Sequence, residues 1–216
     1  MGIREYFPGV YIDLYQNVRG LSSQEQDYAF APISLRFDNG SAFFFYSQLN
    51  KQNLTSSFNP VHTVILPGSY TFWQHVLDYT SDRSKHLSGE VTATLGRYFN
   101  GSTHEFLVNA RYSPDPHSVA FLSYDINKLS HIGEFKQNIT TRLFSTGTQL
   151  YWNPKLILNG LVEYNSVESS LNYNFKFSWE YNPLSFIYLV LTNLKDRYTG
   201  FGERQYINKI SFVKQF

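Results

Sequence analysis

Six histidines are the first residues to weigh for chemistry: His62, His75, His86, His104, His117 and His131. None stands in an HxH or HExxH spacing that would clamp a metal ion. His75 lies near Trp73 on an alternating segment and reads as a rim or lumen histidine. His86, His104, His117 and His131 fall in or beside turns, where plain solvation is the ordinary role. Serine is abundant enough that a Ser-His approach is expected by chance, and no GxSxG elbow presents a nucleophile. Gly200 and Gly202 precede no helix, so they do not read as a phosphate loop. The expectation is no catalytic centre, no cofactor and no metal. What does recur is a ladder of charged and amide side chains at alternate positions: Glu105, Asn109 and Arg111; Gln149; Asn159 and Glu163; Asn172, Asn174, Lys176 and Glu180. Carboxylates, amides and cations in such a row could pair with one another, line a permeation path or seat a plug. The presence of both signs on one strand favours mutual pairing, with Glu163, Lys176 and Glu180 close together.

The elements that carry this ladder are strands. In LNYNFKFSWEY, every second residue is large and apolar or aromatic: Leu171, Tyr173, Phe175, Phe177, Trp179 and Tyr181. The residues between them are almost wholly polar, which is the period-two pattern of a sheet with one apolar face. Val91, Ala93 and Leu95 oppose Thr92, Thr94 and Gly96 in the same way, and Phe106, Val108, Ala110 and Tyr112 oppose Glu105, Leu107, Asn109 and Arg111. In residues 185–193 both faces are apolar, as if another segment lay against the second one.

About thirteen strand-like runs follow one another: 7–17, 28–37, 41–50, 58–66, 70–80, 88–99, 103–112, 118–126, 138–152, 155–165, 170–182, 184–194 and 207–216. Most have the length of about 9–11 residues or more that a tilted strand needs to cross a bilayer, against about 5–6 in ordinary soluble sheets. Asn39-Gly40 and Asn100-Gly101 read as two-residue hairpins, Asn153-Pro154 and Asn182-Pro183 as tight turns, and 113–117 as a slightly longer one. The connections 127–137 and 195–206 read as longer loops. Counted back from the C-terminus, 182–183, 153–154 and 113–117 fall on one rim and 195–206, 166–169 and 127–137 on the other, with the Asn100-Gly101 hairpin as the exception. Bacterial barrels sort short periplasmic turns from longer outer loops in this manner.

Composition agrees. In 216 residues, aromatic side chains make up 18% and charged ones only 16%, below the roughly 25% of an ordinary soluble domain. Mean hydropathy is nonetheless −0.32, because neutral polar groups fill the gap. The net charge of +1 leaves no basic footprint for nucleic acid. The absence of cysteine removes disulfides and cysteine-based zinc sites. No apolar run is long enough for a transmembrane helix, and the N-terminal stretch has neither the core nor the cleavage site of a secretory signal.

The turn SDRSKHLSG, the FNG hairpin, SPDPHSVAFLSY and the block NPKLILNGLVEYNSVESSLNYNFKFSWEYNP, in this order and spacing, resemble the C-terminal part of an uncharacterised bacterial outer-membrane family. Its members look like an N-terminal carbohydrate-binding-like β-sandwich followed by a membrane β-barrel. The likeness covers residues 65–194 well and the rest loosely. The chain lacks the sandwich and is several times shorter than family members, so the resemblance implies a barrel segment, a shortened relative or one chain of a composite barrel.

The expectation is therefore an all-β, antiparallel up-and-down transmembrane β-barrel of about 12–14 strands, or the C-terminal part of one, in a single domain over 1–216. Leu171, Tyr173, Phe175, Phe177, Trp179 and Tyr181 would face lipid and the charged and amide ladder the lumen. Tyr112, Trp152, Tyr164, Trp179 and Tyr181, at strand ends, would form interfacial girdles. Phe212 and the terminal Phe216 resemble the signal read by the barrel assembly machinery, and the C-terminus would be periplasmic. Expected partners are outer-membrane lipid, that machinery and other envelope chains. A soluble all-β lipid or ligand carrier with its aromatic face inside is the rival, and an outer-membrane hydrolase a third class.

Overall fold

The computed structural model describes residues 2–16, 23–195 and 202–211. Thirteen antiparallel strands form one sheet, and no helix occurs among the described residues. They are β1 (Ile3–Tyr6), β2 (Gly9–Gln16), β3 (Ser23–Phe37), β4 (Ala42–Leu54), β5 (Gly68–Thr80), β6 (Leu87–Tyr98) and β7 (Gly101–Asp115). The order continues with β8 (Ser118–Ile132), β9 (Gln137–Asn153), β10 (Leu156–Asn165), β11 (Ser170–Asn182), β12 (Ser185–Lys195) and β13 (Gly202–Ser211). From β3 to β13 each strand pairs with its sequence neighbours, while β1 and β2 both pair with β3. Among the described residues no pairing joins β13 to β1 or β2.

Several boundaries differ from the sequence reading, among them β13, which begins at Gly202 inside the supposed loop 195–206 rather than at 207. The run 7–17 holds β2 alone, and a further short strand, β1, precedes it; Pro8, with no N–H to give a ladder, stands between them, and β1 pairs the C-terminal half of β3 and β2 the N-terminal half. The run 58–66 is not a strand. It belongs to a connection, 55–67, with a single bridge between Phe58 and Ile65, and Val61 and His62 adopt positive φ just after Pro60. The supposed loop 127–137 shrinks to 133–136, because β8 continues to Ile132 and Gly133 takes the left-handed conformation that reverses the chain (φ 77°). The hairpin at 99–100 is centred on Phe99 and Asn100, one residue earlier than an Asn-Gly turn would be. Gly101 serves another purpose: a Cβ there would meet the Ser130 carbonyl oxygen at 2.5 Å.

The chain divides into two compact units, Met1–Ser84 with Gly89–Val108 and Asp125–Thr141, and Lys85–Ser88 with Asn109–Tyr124 and Arg142–Phe216. In the first, connection 55–67 packs against the strand ends to form a small core of Ile65, Phe72, Phe99, Leu129 and Ile132. Tyr70, Phe72, Tyr98 and Phe58 surround the Phe99 ring at centroid distances of 4.8–5.7 Å. Burying that ring explains why a bulky residue accepts a turn position with positive φ (46°). In the second unit no apolar side chain is buried among the described residues.

Candidate functional site

Register shows what each face of the sheet carries. In the second unit, Leu158, Gly160, Val162 and Tyr164 of β10 stand opposite Phe177, Phe175, Tyr173 and Leu171 of β11. The same face continues into β12 through Leu191, Leu189 and Ile187. Of these side chains Leu158, Tyr164, Leu171 (47%), Phe175 (42%) and Leu189 (46%) are exposed, and Val162, Tyr173, Phe177, Ile187 and Leu191 are half-buried. Tyr112, Trp152, Trp179 and Tyr181 stand exposed at strand ends beside the short turns 116–117, 154–155 and 183–184.

The opposite face holds the polar ladder. Asn159 lies between Gln149 on β9 and Lys176 on β11, and Glu163 lies opposite Asn172. The sequence reading brought Glu163, Lys176 and Glu180 together; register separates them. Glu163 is four positions along β10 from Asn159, the partner of Lys176, and no ion pair joins the three. Glu180 Oε1 instead accepts the Leu184 amide at 2.9 Å and so belongs to the turn. Lys176 Nζ lies 5.4 Å over the Tyr188 ring. Asn174 Nδ2 donates to Thr192 Oγ1 at 2.9 Å. Gly147 leaves room on this face for Phe121, whose ring carbon a Cβ would meet at 2.5 Å.

In the first unit, hydrogen bonds mark the polar face strand by strand: Thr92 Oγ1 donates to Asp78 Oδ2 at 2.7 Å, Thr94 bonds Glu105, and Thr103 Oγ1 donates to Asn127 Oδ1 at 2.8 Å. Asp13 stands directly opposite Asp27, which is opposite Asn50 in turn. Gln52 Nε2 donates to Glu25 Oε1 at 2.8 Å, and Gln48 Nε2 to Asn50 Oδ1 at 2.8 Å. Asp13, Glu25, Asp27, Asp78 and Asp125, absent from the sequence-level ladder, thus join Glu105. Their signal was weak because β3 and β4 mix aromatic and polar residues on both faces, as in the run Phe43, Phe44, Phe45. A cavity of about 390 Å³ opens here, lined by Tyr11, Ala29, Ala31, Ser34, Phe44, Tyr46, Val76, Asp78 and Thr92. Asn109 and Arg111 fall on the Glu105 side of β7 by alternation, though they belong to the second unit.

His75 is not on this face. It pairs with Ser47 and Leu95 on the apolar side, its Nδ1 lies 2.8 Å from Ser47 Oγ, and its ring stacks on Phe45. That apolar side also exposes Trp73, Leu77, Tyr79, Val91, Leu95 and Phe106.

A second, polar cavity of about 270 Å³ lies at the strand ends of the first unit, lined by Arg97, Asn100, Gly101, Ser102, Ser130, His131 and Lys136. The side chain of Asn100 is committed elsewhere: its Nδ2 donates to Gly133 O and its Oδ1 accepts from Gly133 N. Among the described residues no group of three His, Cys, Asp or Glu side chains could hold a metal ion. At the turn following β7, Asp115 accepts from Ser118 Oγ and from the His117 amide, both at 2.7 Å. These bonds, Ser118 first, hold the Asp115 carboxyl below its ordinary pKa. Phe212 and Phe216 lie outside the described residues.

No family model matches the chain, and no curated protein or solved structure shows significant similarity to it.

Proposed function

We propose that the chain is a bacterial outer-membrane β-barrel protein, or a segment of one, acting as a passive pore, an anchor or a component of a larger envelope complex. The observation that carries this reading is an apolar sheet face in the second unit with no buried apolar core behind it among the described residues. Of its six alternate residues from Leu171 to Tyr181, Leu171, Phe175, Trp179 and Tyr181 are exposed and Tyr173 and Phe177 half-buried, and among the described residues no apolar side chain is buried there to serve as a core. Water penalises an exposed apolar face of this extent, whereas lipid does not. A soluble carrier would need the opposite arrangement, with the aromatics packed inside.

Strand lengths support the same reading, since β3 to β13 each have 10–17 residues. So do the connections. On one rim they are 38–41, 81–86, 116–117, 154–155 and 183–184; on the other they include 55–67, 133–136 and 166–169, with the two-residue 99–100 as the exception there. The shorter set would be periplasmic, and β13 runs toward that rim. Hydrocarbon tolerates no open sheet edge, so β13 would pair with the β1–β2 edge or with a further chain. The polar face would then line the lumen, and the resemblance in motif order supplies the envelope context.

The test is extraction and gel mobility. The protein should remain in the membrane pellet after a carbonate wash, dissolve in detergent, and migrate differently on a gel before and after heating. A protein that stays monomeric and folded in buffer without detergent would remove this reading.

A further inference from the structure

We infer that the long-connection rim of the first unit is a binding site for the phosphate groups of lipid headgroups in the outer leaflet. This rests on the barrel reading above. The polar cavity at those strand ends is lined by Arg97, Ser102, Ser130, His131 and Lys136, and no carboxylate lines it. Glu134, in the same turn as Lys136, is not among its walls. Ser102 and Ser130 lie on the apolar side of their strands, because Thr103 and Asn127 meet across the polar side. By alternation Lys128 shares the face of Ser130, and His104 that of Ser102. Arg97 follows Leu95 on that face of β6, and Lys51 follows Leu49 on β4.

Across β4 to β8 in the first unit, then, the apolar face carries its cations at the ends next to 55–67, 99–100 and 133–136, and no carboxylate accompanies them. Arg97, Lys128 and Lys136 are exposed, as a site open to the bilayer requires. The short-turn ends of strands in the second unit carry Tyr112, Trp152, Trp179 and Tyr181 instead. A guanidinium, an ammonium group and hydroxyl donors converging on one cavity, with Lys128 on the same face nearby, are the chemistry that recognises phosphate oxygens. Their position at the edge of an apolar band sets the depth at which those oxygens would sit: at a headgroup layer, with acyl chains along Leu95, Phe106 and neighbouring side chains. The side chains of Arg97 and Lys136 can reach that layer while their stems stay on apolar surface.

The experiment uses the full chain folded in detergent and, as probes, lipid A bearing two phosphates, the same lipid with its phosphates removed, and inorganic phosphate. Bound lipid is counted by native mass spectrometry. Heat-shifted gel mobility is recorded for every sample, so loss of the barrel reading is seen separately from loss of this one. The wild-type protein should retain phosphorylated lipid A and release it as salt rises. The triple variant Arg97→Gln, Lys128→Gln, Lys136→Gln should keep its heat-shifted mobility and bind about 100-fold more weakly, at about fivefold per basic residue. Removing Arg4, Arg83 and Lys155 in the same way, near the short-turn rim, should change binding less than about twofold. Equal retention of the dephosphorylated lipid, or unchanged binding by the folded triple variant, would overturn the assignment. So would displacement of lipid A by inorganic phosphate at equal concentration, which would mark a free-anion site.

Discussion

Asn100 and Gly133 tie two hairpins together through a pair of opposed hydrogen bonds. Asn100 Nδ2 donates to the Gly133 carbonyl at 2.9 Å, and the Gly133 amide donates to Asn100 Oδ1 at 3.0 Å. A side chain here imitates one rung of a ladder between the β6–β7 and β8–β9 turns. Beside it the Glu134 amide donates to Val64 O at 2.8 Å, so connection 55–67 is held to the same turn. Asn100→Ala should cost about 1–3 kcal/mol, because it leaves both Gly133 groups without their partner. Gly133→Ala should also be destabilising, since its φ of 77° disfavours a side chain and the new Cβ would run into Thr63 Oγ1. Urea titration of the detergent-folded protein, read by near-ultraviolet circular dichroism, checks both; wild-type midpoints would contradict the coupling.

Phe175 and Lys176 are neighbours on opposite faces and give a direct contrast. Phe175→Arg, mid-strand on the exposed apolar face, should cost about 2–4 kcal/mol in the bilayer and impair insertion. Lys176→Ala loses a contact with the Tyr188 ring of roughly 0.5–1 kcal/mol and should insert normally. The yield of heat-modifiable protein measures both, and equal tolerance would contradict the assignment of faces.

Asp13 and Asp27 are directly opposed across β2 and β3, and Asp27 Oδ1 is buried without a hydrogen-bond partner. Like charges in that position oppose pairing. Asp13→Asn should therefore stabilise the edge strand by about 0.2–1 kcal/mol, seen as slower hydrogen exchange at β2 amides. Faster exchange would mean that the two carboxylates are not in conflict.

Asp115 sets the pH response of its turn. Its folded pKa is depressed by Ser118 and then by the His117 amide. Its contribution is thus present above the unfolded pKa and lost as pH falls through the folded one. Proteolytic nicking at 113–117 should increase on acidification below the ordinary carboxylate range, and Asp115→Asn should nick more readily at neutral pH and lose most of that pH dependence. A variant with the wild-type pH profile would show that other groups govern the turn.

Much of the strand pattern was legible from local sequence. β10 and β11 match the expected runs closely, because their alternation is clean and their turns are marked by Asn153-Pro154 and Asn182-Pro183. Errors arose where distant contacts overrode a local signal. The apolar run 58–66 has the composition of a strand, yet Ile65 is buried in a rim cluster with Phe72, Phe99, Leu129 and Ile132. Asn100-Gly101 has the composition of a hairpin centre, yet burial of Phe99 and the backbone at Ser130 move the turn by one residue.

The sequence by itself determined the period of two and, in strands such as β10 and β11, the segregation of apolar from polar residues onto opposite faces, since these follow from side chains a few positions apart; the count of thirteen agrees only because the unforeseen β1 offsets the run 58–66. Register decided the rest. Which carboxylate meets which amide, and that Glu163, Lys176 and Glu180 do not form one network, depends on how strands slide past one another. That is fixed by turn geometry and packing summed over whole strands. The opposition of Asp13 to Asp27, and the gathering of Arg97, Lys136 and two serines at one cavity, arise from strands far apart in the chain; no local spacing encodes them.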